Sequence, residues 1–487
     1  MYSVHEIQKD LRLIYQSRFL KIFFLMSVTL RIFFLAIFHP NQPSSFAPDE
    51  GTYARLAEFV SRGLAVQDFP DYGPALYNQS KSLVNPSSLL IKIGVDPLDS
   101  VRIVSAIYGL FVPLFALLCF VAVQKSRVNL KEITFENKSV YAKSFIVVLF
   151  FLPSNFLWST LGLRESASQL WIIAQTYFII KFYNEVKYAR LVFAFLAIMS
   201  SVFSFTARPQ TALLISIFLI FLGVVVTLKK RAFSFLLVSI LCMISGNVFA
   251  NTPEVKLIQK YKIIEKVEIL SENDSKNAEE ESSKKIDIDT ILCSYPNQII
   301  LASKQKFECV LVKEYKKPLL PPLTSLPQNI DVSMLEERRN VNRVGASSAL
   351  APSFFSKSIN EFVSIKCNLS ELPYRLTAFL VRPFPFLDEG SSFLLFAGLE
   401  NFLWLFLILV TLTNLMRLRS HTLFKEYIMC IAFFMIIFSI AVSLYEGNMG
   451  TAFRHKSTLI GHLILLNMLA MWSPNFRILG FGHKKTK

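Results

Sequence analysis

The sequence carries few charged residues for its length. Asp, Glu, Lys and Arg make up 18% of its 487 residues, whereas a soluble domain usually contains about 25%. Hydrophobic residues supply 53% of the chain, including 46 Phe. This composition excludes a disordered or collagen-like chain and argues against a water-soluble globule.

Several familiar motifs are also missing. The chain has no P-loop, no glycine pattern for a dinucleotide, no zincin motif and no Gly-x-Ser-x-Gly. We therefore expect neither ATP-driven transport within this chain nor a nucleotide-sugar enzyme of the soluble type. The six Cys lack metal-binding spacing, although Cys293 and Cys309 form a disulfide if their compartment is oxidising.

Long apolar runs are abundant. A helix that crosses a bilayer needs about 20 apolar residues, or fewer where it lines a protein interior. We interpret ten runs as spans, and the first as a retained anchor because it lacks a cleavage site. The predicted fold class is an all-α polytopic membrane protein. The spans are residues 19–38, 101–123, 144–162, 165–182, 191–207, 210–228, 232–250, 392–414, 427–444 and 457–473.

The distribution of Lys and Arg predicts the orientation, because these residues accumulate in cytoplasmic loops. With the N-terminus inside, the inner segments contain 22 Lys and Arg against six Asp and Glu, a net charge of +16. The rest of the chain contains 29 of each and is neutral. The sequence thus predicts an N-in, C-in protein whose positive charge requires no nucleic acid.

This orientation divides the chain into three predicted parts. Residues 1–250 form an N-terminal membrane module with a first outer loop at 39–100. Residues 251–391 form a mixed extracytoplasmic (periplasmic) segment, polar at first and later Pro-rich. Residues 392–487 form a C-terminal module of three membrane helices. We expect the middle segment to cover a site at the outer face.

Polar residues from distant parts of the sequence map to that outer face. An acidic pair and several cations at one membrane face suit a reaction on a lipid-phosphate substrate. The cations would bind the phosphate, and a carboxylate would remove a proton. The residues are Asp49, Glu50, Arg164, Glu165, Arg208, Arg454, His455 and Lys456.

The acidic pair follows Pro48, which disfavours helix before it. Asp49 or Glu50 either caps the next helix and interacts with its dipole, or serves as a general base at the membrane interface. That helix is predicted by the apolar spacing of Tyr53, Leu56, Ala57 and Val60.

Two arginines occupy positions that are costly for a charge. Arg31 lies inside the first span, where it either snorkels or forms a buried ion pair, for which Glu400 is one candidate partner. Arg208 lies with Pro209 in a tight outer hairpin, against the positive-inside rule. We expect it to contact phosphate or carboxylate.

Two further cationic sites lie at span ends. Arg164 either pairs with its neighbour Glu165 or holds a phosphate with the help of free helix N–H groups. The run Arg454-His455-Lys456 either anchors the chain to lipid headgroups or clamps a pyrophosphate. His455 is a candidate acid or base, on weak evidence since one His lacks an evident partner.

These features resemble the C-type fold (GT-C) glycosyltransferases, polyprenyl-phosphate-sugar enzymes that include bacterial protein mannosyltransferases and aminoarabinose transferases. The resemblance rests on Arg31 followed by Pro48-Asp49-Glu50 and Tyr53 in a long first outer loop, on many short spans and on a late outer segment. It covers a small part of the chain. It implies that Asp49 is the catalytic base.

One feature departs from the resemblance. The large outer segment precedes the last three spans, whereas many GT-C enzymes place a soluble domain after all spans. O-antigen polymerases and ligases have such a late outer loop and rely on outer arginines, and that alternative leaves Asp49 without a central role. A lipid-linked sugar transporter is a second alternative.

The resemblance implies an inverting glycosyltransferase of the bacterial inner membrane. Sugar moves from a polyprenyl-phosphate carrier to a glycan or lipid acceptor, and Asp49 deprotonates the acceptor hydroxyl. Glu50 either supports Asp49 or binds a divalent metal such as Mg or Mn. The other implied roles are stabilisation of the leaving phosphate by Arg164 and Arg208, carrier binding by Arg454 and Lys456, and support from Arg31, Tyr53, Glu165 and His455.

Overall fold

The computed structural model is predominantly helical in the residues that it describes. Its two strands, β1 (Gln298–Ser303) and β2 (Lys306–Leu311), form an antiparallel pair in which Gln298 lies opposite Leu311. The described residues are 2–41, 48–69, 73–125, 147–148, 150–185, 187–230, 233–251, 298–303, 306–311, 365–384, 392–418, 425–446 and 449–471.

The helices follow the apolar pattern of the sequence, and a short 3₁₀ turn at Val66–Asp68 separates two of them. They are α1 (Tyr2–Tyr15), α2 (Arg18–Asn41), α3 (Pro48–Ser61), α4 (Gly73–Asn78), α5 (Lys81–Lys92), α6 (Pro97–Lys125), α7 (Pro153–Thr160), α8 (Glu165–Asn184), α9 (Lys187–Ala207), α10 (Pro209–Lys230), α11 (Phe233–Asn251), α12 (Ile365–Val381), α13 (Ser392–Leu418), α14 (Lys425–Tyr445), α15 (Met449–Ser457) and α16 (Ile460–Met471).

Four of these helices are long and apolar enough to cross a membrane. The apolar segments are Arg18–Ile37 in α2, Pro97–Lys125 in α6, Tyr188–Ala207 in α9 and Tyr427–Leu444 in α14. Each coincides with a predicted span. Shorter apolar helices occupy α10, α11, α13 and α16, at four more of the predicted spans. These helices indicate a membrane protein.

Two predicted spans are wrong as single helices. The run 144–162 is broken at Leu152, whose extended backbone (φ −57°, ψ 124°) precedes Pro153 at the start of α7. Proline disfavours the helical conformation in the residue before it. The run 457–473 begins with a turn, because helix α15 ends at Ser457 and α16 starts at Ile460.

The segment predicted to be the first outer loop contains helices with a core of their own. Helices α3 to α5 pack on the start of α6, and their shared core includes Leu56, Ala57, Leu83, Val84 and Val101, all fully buried. The predicted helix after Pro48 is confirmed as α3. The loop therefore presents the first turn of α3 on a rigid support.

Helix α8, at the predicted span 165–182, packs between α6 and α9 but is not among the helices apolar enough to cross a membrane. Almost all of its side chains from Glu165 to Phe182 are buried. Its 20 residues make a rod about 30 Å long. Charged residues occur at its two ends, Glu165 in the first turn and Lys181 in the last.

A cluster of charges fixes α1 against the C-terminal end of α8. Asp10 is fully buried and accepts a hydrogen bond from the Tyr177 hydroxyl, at 2.9 Å. Lys125 of α6 also contacts the Asp10 carboxylate, and the Lys181 amine lies 3.3 Å from it. Helix α1 is therefore tied to both α6 and α8.

Most of the segment 251–391 lies outside the described residues, apart from the strand pair and α12. Cys293 also lies outside them, so its disulfide with Cys309 stays a prediction. The division of the chain into three parts likewise stays a prediction.

We expect Gly109→Ala to lower the unfolding temperature of the protein in detergent. A Cβ atom at residue 109 would lie 2.1 Å from Cβ of Ser159, so α6 and α7 would have to separate. Overpacking of this kind costs about 1–3 kcal/mol.

Gly461→Ala is the matched control, because a Cβ atom there would meet Ile173 at 3.6 Å, an ordinary contact. Its unfolding temperature should stay unchanged or rise, since Ala favours helix over Gly by about 1 kcal/mol. Equal unfolding temperatures for the two variants would contradict the packing described at Gly109.

Candidate functional site

Asp49 lies in the first turn of α3 and meets an arginine from the far end of the chain. Arg454 of α15 donates from Nη1 to Oδ2 of Asp49, across 405 residues of sequence. The Asp49 side chain keeps 47% of its surface exposed, whereas Arg454 keeps 20%. The carboxylate is therefore both paired and accessible.

Glu165 lies between two arginines. Its Oε1 atom accepts a hydrogen bond from Nη2 of Arg208, at 3.2 Å, and lies 3.9 Å from Nη1 of Arg454. Arg208 occupies the turn between α9 and α10, where its side chain is 4% exposed. The first turns of α8 and α10 are thus joined by an ion pair.

Arg164 completes the group. It precedes α8 and donates from Nη1 to the backbone oxygen of Gln79, at 3.2 Å. Its guanidinium lies 6.0 Å from the ring centre of Tyr53, within range of a cation–π interaction. Burial raises the pKa of Tyr53 to about 12, so its hydroxyl stays protonated. We call Asp49, Arg164, Glu165, Arg208 and Arg454 the outer cluster, after the face on which the sequence predicts them.

The outer cluster contains three arginines and two carboxylates, a net charge of +1. Partial burial would raise the pKa of Asp49, but Arg454, and more weakly Arg164 and Arg208, lower it below its usual value. Asp49 is therefore ionised at neutral pH. The Asp49 carboxylate can accept a proton, and the net positive charge of the cluster can attract an anion.

Buried atoms on both Glu165 and Arg164 have no hydrogen-bond partner among the described residues. They are Oε2 of Glu165, an acceptor, and Nε of Arg164, a donor. A buried polar atom left unsatisfied costs about 1–3 kcal/mol. A ligand with both donor and acceptor groups would recover this free energy.

His455 has an acidic neighbour that the sequence reasoning missed. Its Nε2 atom lies 3.3 Å from Oε2 of Glu446, and both side chains are buried. Burial and the positive charges of Arg208, Arg454 and Arg164 lower the pKa of His455 well below its usual value. The ring is therefore neutral at pH 7, and it joins α15 to the end of α14.

Glu50 points away from Asp49. Its Oε1 atom accepts a hydrogen bond from Nε of Arg102 at 2.6 Å, and both side chains are at most 1% exposed. Arg102 was not among the predicted residues. It lies at the outer end of a predicted span, so the positive-inside rule that selected Arg208 would also have selected Arg102.

Lys456 also lies apart from the outer cluster. Its amine donates to Asn401 and to the backbone oxygens of Leu380 and Arg382, at 3.3 and 3.4 Å. It lines a cavity of about 190 Å³ whose other walls are mostly apolar. Burial lowers the pKa of Lys456 to about 7. This geometry suits the support of α12 and α13 rather than a pyrophosphate clamp.

Arg31 forms hydrogen bonds to neutral groups. Its Nε atom donates to the Ser159 hydroxyl at 3.1 Å, its Nη2 atom to the Gly109 carbonyl at 3.3 Å, and its Nη1 atom to Ser27. Among the described residues it has no ion pair, so the expected pair with Glu400 is wrong. Glu400 instead accepts a hydrogen bond from the Trp404 indole, at 3.0 Å.

The donor set does not fit a divalent metal. Within the part of the chain that the structure describes, no three His, Cys, Asp or Glu side chains converge on one point. Glu50, which in one alternative binds Mg or Mn, is instead paired with Arg102. We therefore derive no reaction step through a metal.

Neither the protein-family models, the curated proteins nor the solved structures give a match to this chain. Its function must therefore be argued from the outer cluster. The structure brings together Asp49, Tyr53, Arg164, Glu165, Arg208 and Arg454, and it places Glu50, Lys456 and Arg31 elsewhere.

We expect Lys456→Met to flatten the pH dependence of stability above neutral pH. The pKa of Lys456 is about 7 in the folded protein, below the usual value of 10.5. The unfolded chain therefore binds more protons between these values, and stability rises with pH across that window. The measurement is the unfolding temperature at pH 7 to 10.

Lys92→Met is the control for this series, because Lys92 is exposed at the end of α5 and stays in water in both states. Its curve should follow that of the unmodified protein. If Lys456→Met keeps the full rise with pH, Lys456 is not buried as described.

Proposed function

We propose that this protein is an integral membrane glycosyltransferase. It moves a sugar from a polyprenyl-phosphate carrier to a glycan or lipid acceptor at the outer face of the bacterial inner membrane, in surface polysaccharide or glycoconjugate assembly. One observation carries the proposal: a half-exposed Asp49 carboxylate lies against Arg454 in a cluster with one excess positive charge.

Phosphate is the ligand class that the excess charge favours. Arg164 and Arg208 stand directly before the first turns of α8 and α10, where free N–H groups and the helix dipole attract anions. Arg454 adds a third guanidinium. A sugar phosphate also carries hydroxyls, which suit the unsatisfied Oε2 of Glu165.

Asp49 is the candidate general base. Its contact with Arg454 lowers its pKa and makes it a weak base before substrate arrives. A donor phosphate would attract Arg454, and the pKa of Asp49 would then rise towards its usual value. The base would thus become stronger only when the donor is bound, which disfavours wasteful transfer to water.

The proposed step conserves atoms and charge. The acceptor oxygen attacks the anomeric carbon while the bond from that carbon to the phosphate oxygen breaks, with inversion. Asp49 takes the acceptor proton, and the polyprenyl phosphate leaves with the bond electrons. Arg164, Arg208 and Arg454 stabilise the charge that grows on the phosphate, the kind of electrostatic effect that lowers barriers most.

We also propose the N-in, C-in orientation with ten membrane-crossing segments. The support is the separation of charges along α8. Its first turn meets Arg208, from a predicted outer hairpin, whereas its last turn meets Asp10, from the predicted inner N-terminus. A rod of about 30 Å matches the thickness of the hydrocarbon core.

We expect Asp49→Asn to abolish transfer of a polyprenyl-phosphate-linked sugar by purified, folded protein, with donor affinity retained. Arg208→Ala and Arg454→Ala should lower kcat by about 10²-fold or more, because each removes charge stabilisation of the leaving group. The measurement is turnover of radiolabelled donor in detergent or vesicles.

Arg62→Ala is the matched control, since Arg62 is an exposed arginine directly after α3 that pairs with Glu58. It should keep normal turnover. Near-normal transfer by Asp49→Asn would overturn the general-base role and favour the polymerase or ligase alternative. Absence of any transfer, together with substrate-dependent movement across vesicles, would favour the transporter.

A reporter enzyme active only outside the cytoplasm tests the orientation. Fused after Lys285, in the predicted outer segment, it should be active, whereas fused after Lys138, in a predicted inner segment, it should be silent. The reverse pattern would overturn the orientation, because the Lys and Arg clusters would then lie on the translocated side.

A further inference from the structure

The ion pair between Glu50 and Arg102 lies beside the outer cluster without belonging to it. Both side chains are at most 1% exposed, and Nε of Arg102 lies 2.6 Å from Oε1 of Glu50. Buried ion pairs contribute little net stability, because the desolvation of both charges offsets their attraction. The position of this pair is therefore more informative than its strength.

The pair helps to fix the rotation of α3 about its own axis, together with the buried core that α3 shares with α5 and α6. Asp49 and Glu50 are consecutive residues in its first turn, so their side chains point about 100° apart. Glu50 faces Arg102 of α6, and Asp49 faces Arg454 of α15. A rotation of α3 that moves Asp49 away from Arg454 would therefore also separate Glu50 from Arg102.

The same pair touches the turn that carries Arg164. Gly162 occupies that turn with φ +62°, and a Cβ atom there would lie 3.4 Å from Cγ of Glu50 and 3.3 Å from the backbone N of Arg102. The Glu50 side chain and the Arg102 backbone therefore lie beside the turn before α8.

We propose that Arg102 is a positioning residue, which acts through Glu50 to hold Asp49 at the outer cluster. This inference rests on the proposed transferase function and adds a residue that contacts neither sugar nor phosphate. Displacement of a reacting group by about 1 Å costs about 10²-fold in rate. A small rotation of α3 is therefore enough to impair transfer.

Glu50→Gln keeps the size of its side chain, whereas Arg102→Gln shortens the side chain, and each removes one charge of the pair. We expect each to lower kcat by about tenfold or more, with less than about a twofold change in KM for the lipid donor, because the three arginines remain. The double variant should be no slower than either single variant, since the second change removes a partner already lost.

Glu58→Gln is the matched control on the same helix. It breaks the exposed ion pair with Arg62, at the opposite end of α3 from Asp49. It should leave kcat unchanged. If a single variant fails to fold, Glu50→Met combined with Arg102→Met removes both charges at once, a replacement that buried pairs often tolerate.

A second measurement makes the inference independent of transfer. Cysteines replacing Asp49 and Arg454 should be joined by a short bifunctional thiol reagent, with the product identified by mass spectrometry. Glu50→Gln should lower the yield of this cross-link, and Glu58→Gln should not.

The outcomes separate the two proposals. Unchanged kcat and unchanged cross-link yield in Glu50→Gln would overturn the positioning role. Absence of transfer in the unmodified protein, with a cross-link that depends on Glu50, would overturn the transferase and leave the positioning geometry intact. A higher KM for donor with unchanged kcat would also contradict the positioning role, because it would indicate ground-state binding.

Discussion

Buried charges at both ends of α8 must be paired with opposite charges, and these ion pairs determine which helices pack against it. An unpaired ion in such surroundings costs several kcal/mol, so each buried charge restricts where the neighbouring helices can lie. Glu165 meets Arg208 and Arg454 at one end, and Lys181 meets Asp10 at the other. These contacts tie α1, α10 and α15 to one central helix, and the outer cluster is a consequence.

The outer cluster is neutralised incompletely, and this makes it suitable for chemistry. Its arginines outnumber its carboxylates by one, Asp49 keeps about half of its surface exposed, and buried atoms of Arg164 and Glu165 lack partners among the described residues. A site arranged only for stability would satisfy these atoms. The neighbouring pair of Glu50 and Arg102 is, by contrast, fully buried and lies outside the cluster.

Local signals in the sequence predicted much of this region. Pro48 and the apolar spacing behind it predicted α3, and the tight turns before Glu165 and Pro209 predicted the starts of α8 and α10. Glu50 and Lys456 were predicted to belong to the site, but the structure pairs them with Arg102 and Asn401 instead. Adjacent residues on a helix differ by about 100° in direction, so chain position alone does not say which of two neighbours faces the site.

Hydropathy and the distribution of Lys and Arg are properties summed over many residues. The sequence by itself therefore determined the features that follow from such sums. It determined a helical membrane protein and the gathering of Asp49, Arg164, Arg208 and Arg454 on one predicted face. Only the tertiary structure decided the partner of each charge. A pairing depends on the rotation and packing of two helices, which are set by contacts between residues as far apart as Asp49 and Arg454.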